Sequence, residues 1–516
     1  MKIFFILIVS TIIIIGYHPS TKKYDLPKVV VVTGEVINRS SFDPNSIAVI
    51  INDVASSEQI RVVDDLDKDG RFVAHFERFY PQEVMVKYNG IYEIFVSPGD
   101  SIHIKIDAKK QGTEEDFFHS ISFSGDAVEE NEQLKKFQEW FDPIKEKKSN
   151  NMIAESRYDP ARYLQYRDSL RNSYHQYMIE FEKKNKVSPS INTWIYNEIE
   201  EDFFYNMWLY PMIHRRFNNY PADWDAPVAY YDFFKKANLT LESLSNAKLT
   251  KPFALHYYFS YIRNKIQEDL MTKGLVKDTI LSDGQQVHLW KVNNDSILID
   301  GIKKYTPDGL LRQLIFNLFF GMKLRQDMNT DFFERNSSLL SQEIKEPFLV
   351  IPLQKNYHKI REIAMNPKNN GKPLIIDSKN RSGGDILKQI LAKNRGKVIY
   401  IDCWATWCGP CIAEMPFSKK LMSELKDEPV SFVFLSFNSP KEDALKKVND
   451  LNLGGTHYFL DLDESNHLQK LLSFSSFPNY LLIDKYGDIV SSSPSLIPRN
   501  EETKNYIIKL INQEGK

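Results

Sequence analysis

The sequence predicts a multidomain α+β chain: an N-terminal antiparallel β-sandwich, an α-helical middle domain, and a C-terminal domain whose mixed sheet carries helices on both faces. Three observations lead there. The 516 residues exceed one core at roughly 100 to 200 residues per domain. The apolar pattern changes period twice, from strict alternation to helical spacing and then to short buried runs separated by helices. All three cysteines lie within residues 403–411, which concentrates the redox-capable chemistry in the last third.

The chain begins Met1-Lys2 and continues as IFFILIVSTIIII over residues 3–15. A membrane span needs about 20 apolar residues, so this run fits an export signal better; an uncleaved anchor stays open because no small-x-small cleavage site follows. No cysteine stands behind the run to carry a lipid. Residues 1–20 are therefore expected to act as signal or anchor, and the rest to work in the periplasm or cell envelope. Lys+Arg 66 against Asp+Glu 68 gives a net charge of -2, so no global field draws the chain to nucleic acid or acidic lipid. In an oxidising compartment, clustered cysteines without a disulfide framework point to redox work.

Over residues 25–125 the runs VVVVTGEVI, SIAVIIND, RFVAHFE, EVMVKYNG, IYEIFVS and SIHIKID alternate between Asn, Asp, Gly and Pro turns. Strands about 8 to 12 residues apart favour a sandwich over βαβ units. Asp65-Leu66-Asp67-Lys68-Asp69-Gly70 imitates the start of a calcium loop. The position needing a bidentate Glu is Phe76, so the reading is a hairpin turn and no metal. Over 126–365 the spacing is helical, with aromatic groups at Phe203-Phe204-Tyr205 and His256-Tyr257-Tyr258-Phe259. These read as core, with a partner groove as the alternative, since no convergent polar set accompanies them. Residues 366–384 form a polar boundary with an edge strand. From 367 to 516 strands and helices alternate: DILKQILAKNRG, VIYIDCWA, CGPCIAEMPFSKKLMSELK, SFVFLSF, PKEDALKKVNDL, HYFLD, ESNHLQKLL, FPNYLLIDKYG with DIVSSS, and EETKNYIIKLINQ.

The strand running into Trp404-Ala405-Thr406-Trp407-Cys408-Gly409-Pro410-Cys411 and then a helix carries the strongest signal. Two cysteines separated by two residues close a small disulfide only where the backbone bends, and a helix start supplies the bend. Cys408 is expected at its exposed end, where unpaired N–H groups and the helix dipole favour the thiolate; it is the predicted nucleophile. Cys411, one turn on and shielded, is the predicted resolving thiol. Pro410 fits the first turn, where its missing N–H has no helical partner. The resolving thiol needs a base with a raised pKa. Glu414 shares its helical face and Asp402 ends the preceding strand, so both are candidates. Pro478, just before the strand LLID, is expected to be cis and to face the cysteines, leaving the Phe477 backbone free to pair with an extended substrate.

These residues resemble the thioredoxin superfamily, and within it the TlpA/ResA-like exported thiol-disulfide oxidoreductases. The resemblance covers residues 367–516 and rests on Trp407 to Cys411, on Glu414 and Pro416, and on Phe477 to Asp484. It implies a thioredoxin-like fold, a redox Cys408–Cys411 disulfide, proton transfer at Glu414 or Asp402, substrate contacts at Trp407, Gly409, Pro410, Phe477 and Pro478, and no cofactor. It also implies disulfide-containing or dithiol client proteins and a membrane electron donor; cytochrome c maturation and general disulfide reduction both fit. The CGPC sequence is the one thioredoxin carries at about -270 mV, which favours a reductase; an oxidase or isomerase stays open. Where the family has an aromatic or aliphatic residue after Asp402, this chain has Cys403, expected to be an inert buried thiol, with a regulatory or third redox role as the alternative. Residues 98–107, PGDSIHIKID, resemble modules that precede TlpA-like domains in envelope proteins of the Bacteroidota. Two other readings are an envelope binding or assembly protein with an accessory redox domain, and a zinc half-site, for which His457 and His467 stand at no standard spacing.

Overall fold

The computed structural model describes residues 26–513 except 56–58, 112–113, 150–156, 222–223, 281–285, 291–293, 327–329, 366–371 and 377–381. The apolar run at 3–15 and most of the 366–384 boundary lie outside these. No helix among the described residues is long and apolar enough to cross a membrane.

Alternating apolar residues build eight strands in the N-terminal third: β1 Lys28–Ile37, β2 Ser46–Asn52, β3 Gln59–Asp65, β4 Arg71–Arg78, β5 Gln82–Tyr88, β6 Gly90–Val96, β7 Ser101–Asp107 and β8 Ile121–Gly125. They form two sheets of four, β4-β1-β7-β8 and β3-β2-β5-β6. Inward residues such as Val30, Val32, Val49, Val86, Ile94 and Ile104 meet in one core, as period-2 burial requires. Two expectations are corrected. The first sheet is mixed, because β1 pairs with β7 in parallel; the chain leaves for the second sheet and returns between them, so the two strands run in the same sense. The Asp65–Gly70 turn joins β3 of one sheet to β4 of the other, so it is a corner between sheets and not a hairpin. Its residues are engaged in the corner itself: the Asp67 carboxylate accepts from the backbone N–H groups of Asp69 and Arg71 at 2.8 Å. Gly70, at φ +79°, lies where a Cβ would strike the Val36 carbonyl.

The middle third is helical: α1 Glu114–His119, α2 Val128–Ser149, α3 Pro160–Lys184, α4 Pro189–Phe217, α5 Ala247–His256, α6 Arg263–Thr272, α7 Asn294–Tyr305, α8 Leu310–Gln326, α9 Thr330–Arg335, α10 Ser337–Glu343 and α11 Pro347–Met365. A π-helical turn, Tyr257–Ile262, links α5 to α6, and a hairpin of β9 Val276–Ile280 and β10 Gln286–Trp290 interrupts the helices. Phe203, Phe204, Tyr257, Tyr258 and Tyr261 are buried in one large core, as the packing reading expects, whereas Tyr205 and Phe259 of the same stripes are exposed.

This core crosses domain lines. Val54, Ala55 and Tyr80 of the sandwich belong to it. Glu83 of β5, 2% exposed, accepts from the backbone N–H groups of Ala247 at 2.9 Å and Lys248 at 3.3 Å and from the Trp194 indole at 3.3 Å. It caps α5 from another domain and satisfies donors that a helix start leaves open. Asn131 of α2 bonds both the N–H and the carbonyl of Phe95.

The C-terminal third contains β11 Leu374–Ile376, α12 Gly383–Lys393, β12 Val398–Trp404, α13 Gly409–Glu424, β13 Val430–Ser436, α14 Lys441–Asp450, β14 Thr456–Phe459, α15 Leu462–Leu471, β15 Asn479–Ile483, β16 Ile489–Ser493 and α16 Glu501–Asn512. The sheet order is β11-β14-β13-β12-β15-β16. β12 runs parallel to β13 and antiparallel to β15. Because β12 is central and buried throughout, it reads as a continuous apolar run and not as an alternation. Its odd residues Ile399, Ile401 and Cys403 face a core with α12 and α15. Val398, Tyr400 and Trp404 face the other core, with α13, α14 and α16.

Replacing Glu83 by Ala leaves the α5 N–H groups and the Trp194 indole without their acceptor inside a domain interface. The expected loss is about 2–4 kcal/mol in urea denaturation of the full chain. A loss below about 0.5 kcal/mol would mean that water replaces the carboxylate there.

Candidate redox site

β12 ends at Trp404, and within five residues the chain has turned into α13. The turn is held from three directions. Cys408 N–H bonds the Ala405 carbonyl at 3.1 Å and Phe437 N–H bonds the Trp404 carbonyl at 2.8 Å. Thr406 N–H donates to Ser439 Oγ at 2.9 Å, and the Trp407 indole donates to the Asn438 carbonyl at 3.0 Å. Asn438 adopts φ 43°, a conformation Asn tolerates better than most residues. The loop after β13 is therefore the brace of the cysteine turn.

Cys408 is the N-cap of α13, and its Sγ accepts from the Cys411 N–H at 3.2 Å. Pro410 sits in the first turn. The two cysteines are joined as a disulfide with Cα atoms 5.3 Å apart. Cys411 is fully buried and Cys408 is 4% exposed. This corrects the expectation of an exposed Cys408: the disulfide lies in the core cluster of Trp404, Met415 and Tyr480, with Phe477 packed against that cluster. Trp407, 62% exposed, stands edge-on to Phe477 at 5.6 Å. The Phe477–Pro478 bond is cis. Asn479 pairs with Cys403 in the β12–β15 register, so Pro478 comes level with Trp404, at the end of β12 where the cysteine turn begins. Residues 404–411 and 477–478, distant in sequence, thus share one rim.

Two buried carboxylates belong to the strand and the helix that flank the cysteine turn, Asp402 on β12 and Glu414 on α13. Asp402 is completely buried and, by alternation along β12, faces α13. Ser418 Oγ donates to its Oδ2 at 3.3 Å, while Oδ1 has no hydrogen-bond partner. Burial, reinforced by the charge of Glu414 and opposed by the Ser418 bond, pushes its pKa up to about 8. Glu414, 5% exposed, forms an ion pair with Arg499, so its charge has a guanidinium partner. The environment divides the candidates: Asp402 carries a proton at neutral pH and Glu414 is matched by a cation. Cys403 points into the opposite core, and burial holds its thiol well above the ordinary range. His457 Nε2 lies 2.9 Å from the Leu453 carbonyl, and Gly383 N–H donates to His467 Nδ1 at 3.3 Å. Among the described residues no group of three or more His, Cys, Asp or Glu side chains is placed to hold a metal ion.

Two participants escaped the sequence reading. Ser418 lies on the helical face of Cys411 and Glu414, at three- and four-residue steps, so its signal was present. Arg499 comes from the segment between β16 and α16, and its spacing along the chain carries no signal.

The arrangement can break and form one disulfide at a helix start, with a proton held beneath it. A buried acid whose folded pKa exceeds its unfolded value contributes stability that is complete below about pH 4 and is lost as pH rises toward 8. Asp402→Asn is accordingly expected to stabilise the oxidised chain by on the order of 3 kcal/mol at pH 8 and by little at pH 4. Urea titrations of both chains at the two pH values measure this, and a pH-independent difference would contradict the buried-acid assignment.

The comparisons agree with this geometry. The Redoxin family model matches residues 381–506. The thiol-disulfide oxidoreductase ResA of Bacillus thuringiensis (strain Al Hakam) is 28% identical over 96 residues, 19% of this chain and 54% of the relative. That of Oceanobacillus iheyensis is 30% identical over 101 residues, covering 19% and 50%. The chain thus spans about half the length of the curated relatives it matches. The crystal structure of the thioredoxin domain of a thiol-disulfide oxidoreductase from Bacteroides vulgatus is 24% identical and covers 24% of this chain and 84% of that one, with a TM-score of 0.22. The C-terminal domain of this chain thus carries a Redoxin-family match and is similar in sequence to ResA-type thiol-disulfide oxidoreductases.

Proposed function

We propose that the chain is an extracytoplasmic thiol-disulfide oxidoreductase that reduces disulfides in client proteins through Cys408 and Cys411. The observation that carries this is the Cys408–Cys411 disulfide at the start of a helix, with the buried acid Asp402 on the strand that leads into it. In the reduced protein the Cys408 thiolate attacks a client disulfide and expels one client sulfur as thiolate. Cys411 then gives its proton to the Asp402 carboxylate and attacks Cys408 Sγ, releasing the second client thiolate and re-forming the enzyme disulfide. Two electrons pass from Cys408 and Cys411 to the client. A membrane electron donor returns them, and in that step Asp402 gives its proton to the departing Cys411 thiolate.

Trp407, Gly409, Pro410, Phe477 and Pro478 form the rim that a client meets, with the Phe477 backbone pairing to an extended segment as an added strand would. Glu414 takes part through its charge. Residues 1–20 direct export or anchor the chain by 3–15. The sandwich (25–125) and helical domain (126–365) fix the orientation of the redox domain (367–516), a reading supported by the core shared across all three.

Reduction potential separates the directions. Equilibration of the full chain against dithiol buffers is expected to give a value below about -250 mV for a reductase, and one above about -180 mV would make it a disulfide donor or isomerase. In the reduced chain, iodoacetamide is expected to modify Cys408 at least about tenfold faster than Cys411 at pH 7. Cys411→Ser should trap mixed disulfides with envelope proteins; recovery of none would count against a trans-acting enzyme.

A further inference from the structure

The sandwich and the helical domain leave a cavity of about 370 Å³ between them, bounded by β6, β8, α1, α2, α4 and α5. Part of its lining is aromatic: Tyr92, Phe117, Phe118 and Phe123. Phe117 stacks on Tyr92 at 4.2 Å and meets Phe118 edge-on at 6.0 Å. A Cβ at Gly90 would strike the Phe117 ring at 2.4 Å, so a residue without a side chain is what lets that ring lie against β6. The rest of the lining is charged or polar. Lys135, Gln138, Asp142 and Lys145 recur along α2 at steps of three, four and three residues, which puts them on one helical face. That face is tied at two points. Gln138 Nε2 donates to Glu93 Oε2 of β6 at 2.8 Å, and Lys145 Nζ donates to Glu198 Oε1 of α4 at 3.3 Å. Lys248 of α5 completes the set, 2.9 Å from Glu93 Oε1 and 2.9 Å from Glu198 Oε2.

Every cation of this lining has an anionic partner. Lys248 pairs with Glu93 and Glu198, Lys145 with Glu198 and, at 3.8 Å, with Asp202, and Lys135 with Glu132 at 2.8 Å. Asp142 differs. Lys145, one turn away, turns to Glu198 instead, and among the described residues the Asp142 carboxylate makes no hydrogen bond or ion pair. Burial raises its pKa to about 6, with the charges of Glu198 and Glu93 adding to the shift and those of Lys145 and Lys248 opposing it, so it is mostly ionised at neutral pH. We propose that this cavity binds a small organic cation, a primary ammonium group on a short apolar body, with Asp142 receiving the ammonium and Phe117 and Phe118 packing against the body. An anion suits the site poorly: it would have to break lysine pairs made at 2.9 to 3.3 Å and would leave Asp142 unneutralised. Aromatic faces attract ammonium groups, and Lys135 Nζ already lies 5.8 Å from the centre of the Phe123 ring. The volume is at the lower end of the range of about 300 to 1,000 Å³ that ligand pockets occupy. None of the lining residues belongs to the C-terminal domain, so the site is separate from the cysteine turn.

The test is a titration of the full chain at neutral pH with phenethylamine and with cadaverine, which carry an ammonium on an aromatic and an aliphatic body, followed by saturation-transfer NMR and calorimetry. Two further probes, 2-phenylethanol and phenylacetate, keep the ring and replace the ammonium by a neutral and a negative group. Phenethylamine is expected to bind at least about tenfold more tightly than 2-phenylethanol, with phenylacetate weakest. Asp142→Asn keeps the shape of the side chain and removes its charge. It should weaken phenethylamine about tenfold and leave 2-phenylethanol unchanged, erasing the preference. Phe118→Leu should weaken phenethylamine and 2-phenylethanol together, which locates the site if Asp142→Asn does not fold. Three results would overturn the proposal. One is that neither amine binds with a Kd below about 10 mM. Another is that 2-phenylethanol or phenylacetate binds as tightly as phenethylamine. The third is that Asp142→Asn retains the full preference for the amine, which would put the amine elsewhere on the chain.

Discussion

Everything at the redox centre follows from burying a carboxylate, Asp402, in a central strand directly beneath a helix that begins at a disulfide. An ionised carboxylate in that position faces a large desolvation penalty with one weak hydrogen bond to offset it. Burial therefore pushes its pKa up to about 8, so the acid form is favoured at neutral pH. The strand cannot shift to relieve the burial, because β12 is paired on both edges. The helix cannot shift either, since its first turn is tied to the Phe437–Ser439 loop. The pairing on both edges thus keeps the carboxylate buried.

The same logic of satisfied and unsatisfied polar groups joins the domains. Glu83 leaves a β-strand to cap a helix of the next domain, and Asn131 closes both backbone groups of Phe95. These bonds replace water that the interface excludes, so the contact is specific in register as well as apolar. At the other end Phe417 belongs to the active-site helix and to the core of the helical domain. One aromatic ring thereby ties the orientation of the middle domain to the helix that starts at Cys408.

Much of this was legible from the residues alone. The cysteine spacing, Pro410 in the first turn and the buried run before Trp404 specify strand, bend and helix locally, and a proline before a short apolar strand marks the rim. Asp402 was read as ending the strand before the turn, whereas β12 continues to Trp404 and its alternation turns Asp402 toward α13. What misled was local too. Strand propensity does not reveal sheet partners, so the parallel β1–β7 pair and the corner at Asp65–Gly70 were read as antiparallel neighbours and a hairpin. The helix dipole pointed to an open Cys408, but the packing of Phe477 against its cluster leaves only 4% of it exposed.

The sequence by itself determined the domain grammar, the redox pair and the identity of two candidate acids, because each depends on periodicity or short spacing. It did not determine which acid holds the proton. That choice depends on the surroundings of each carboxylate, such as Arg499, 85 residues beyond Glu414 (499 − 414), which pairs with it. It also depends on how completely each carboxylate is removed from water. Coulomb energy and desolvation act through distance in space, and only the tertiary structure sets that distance.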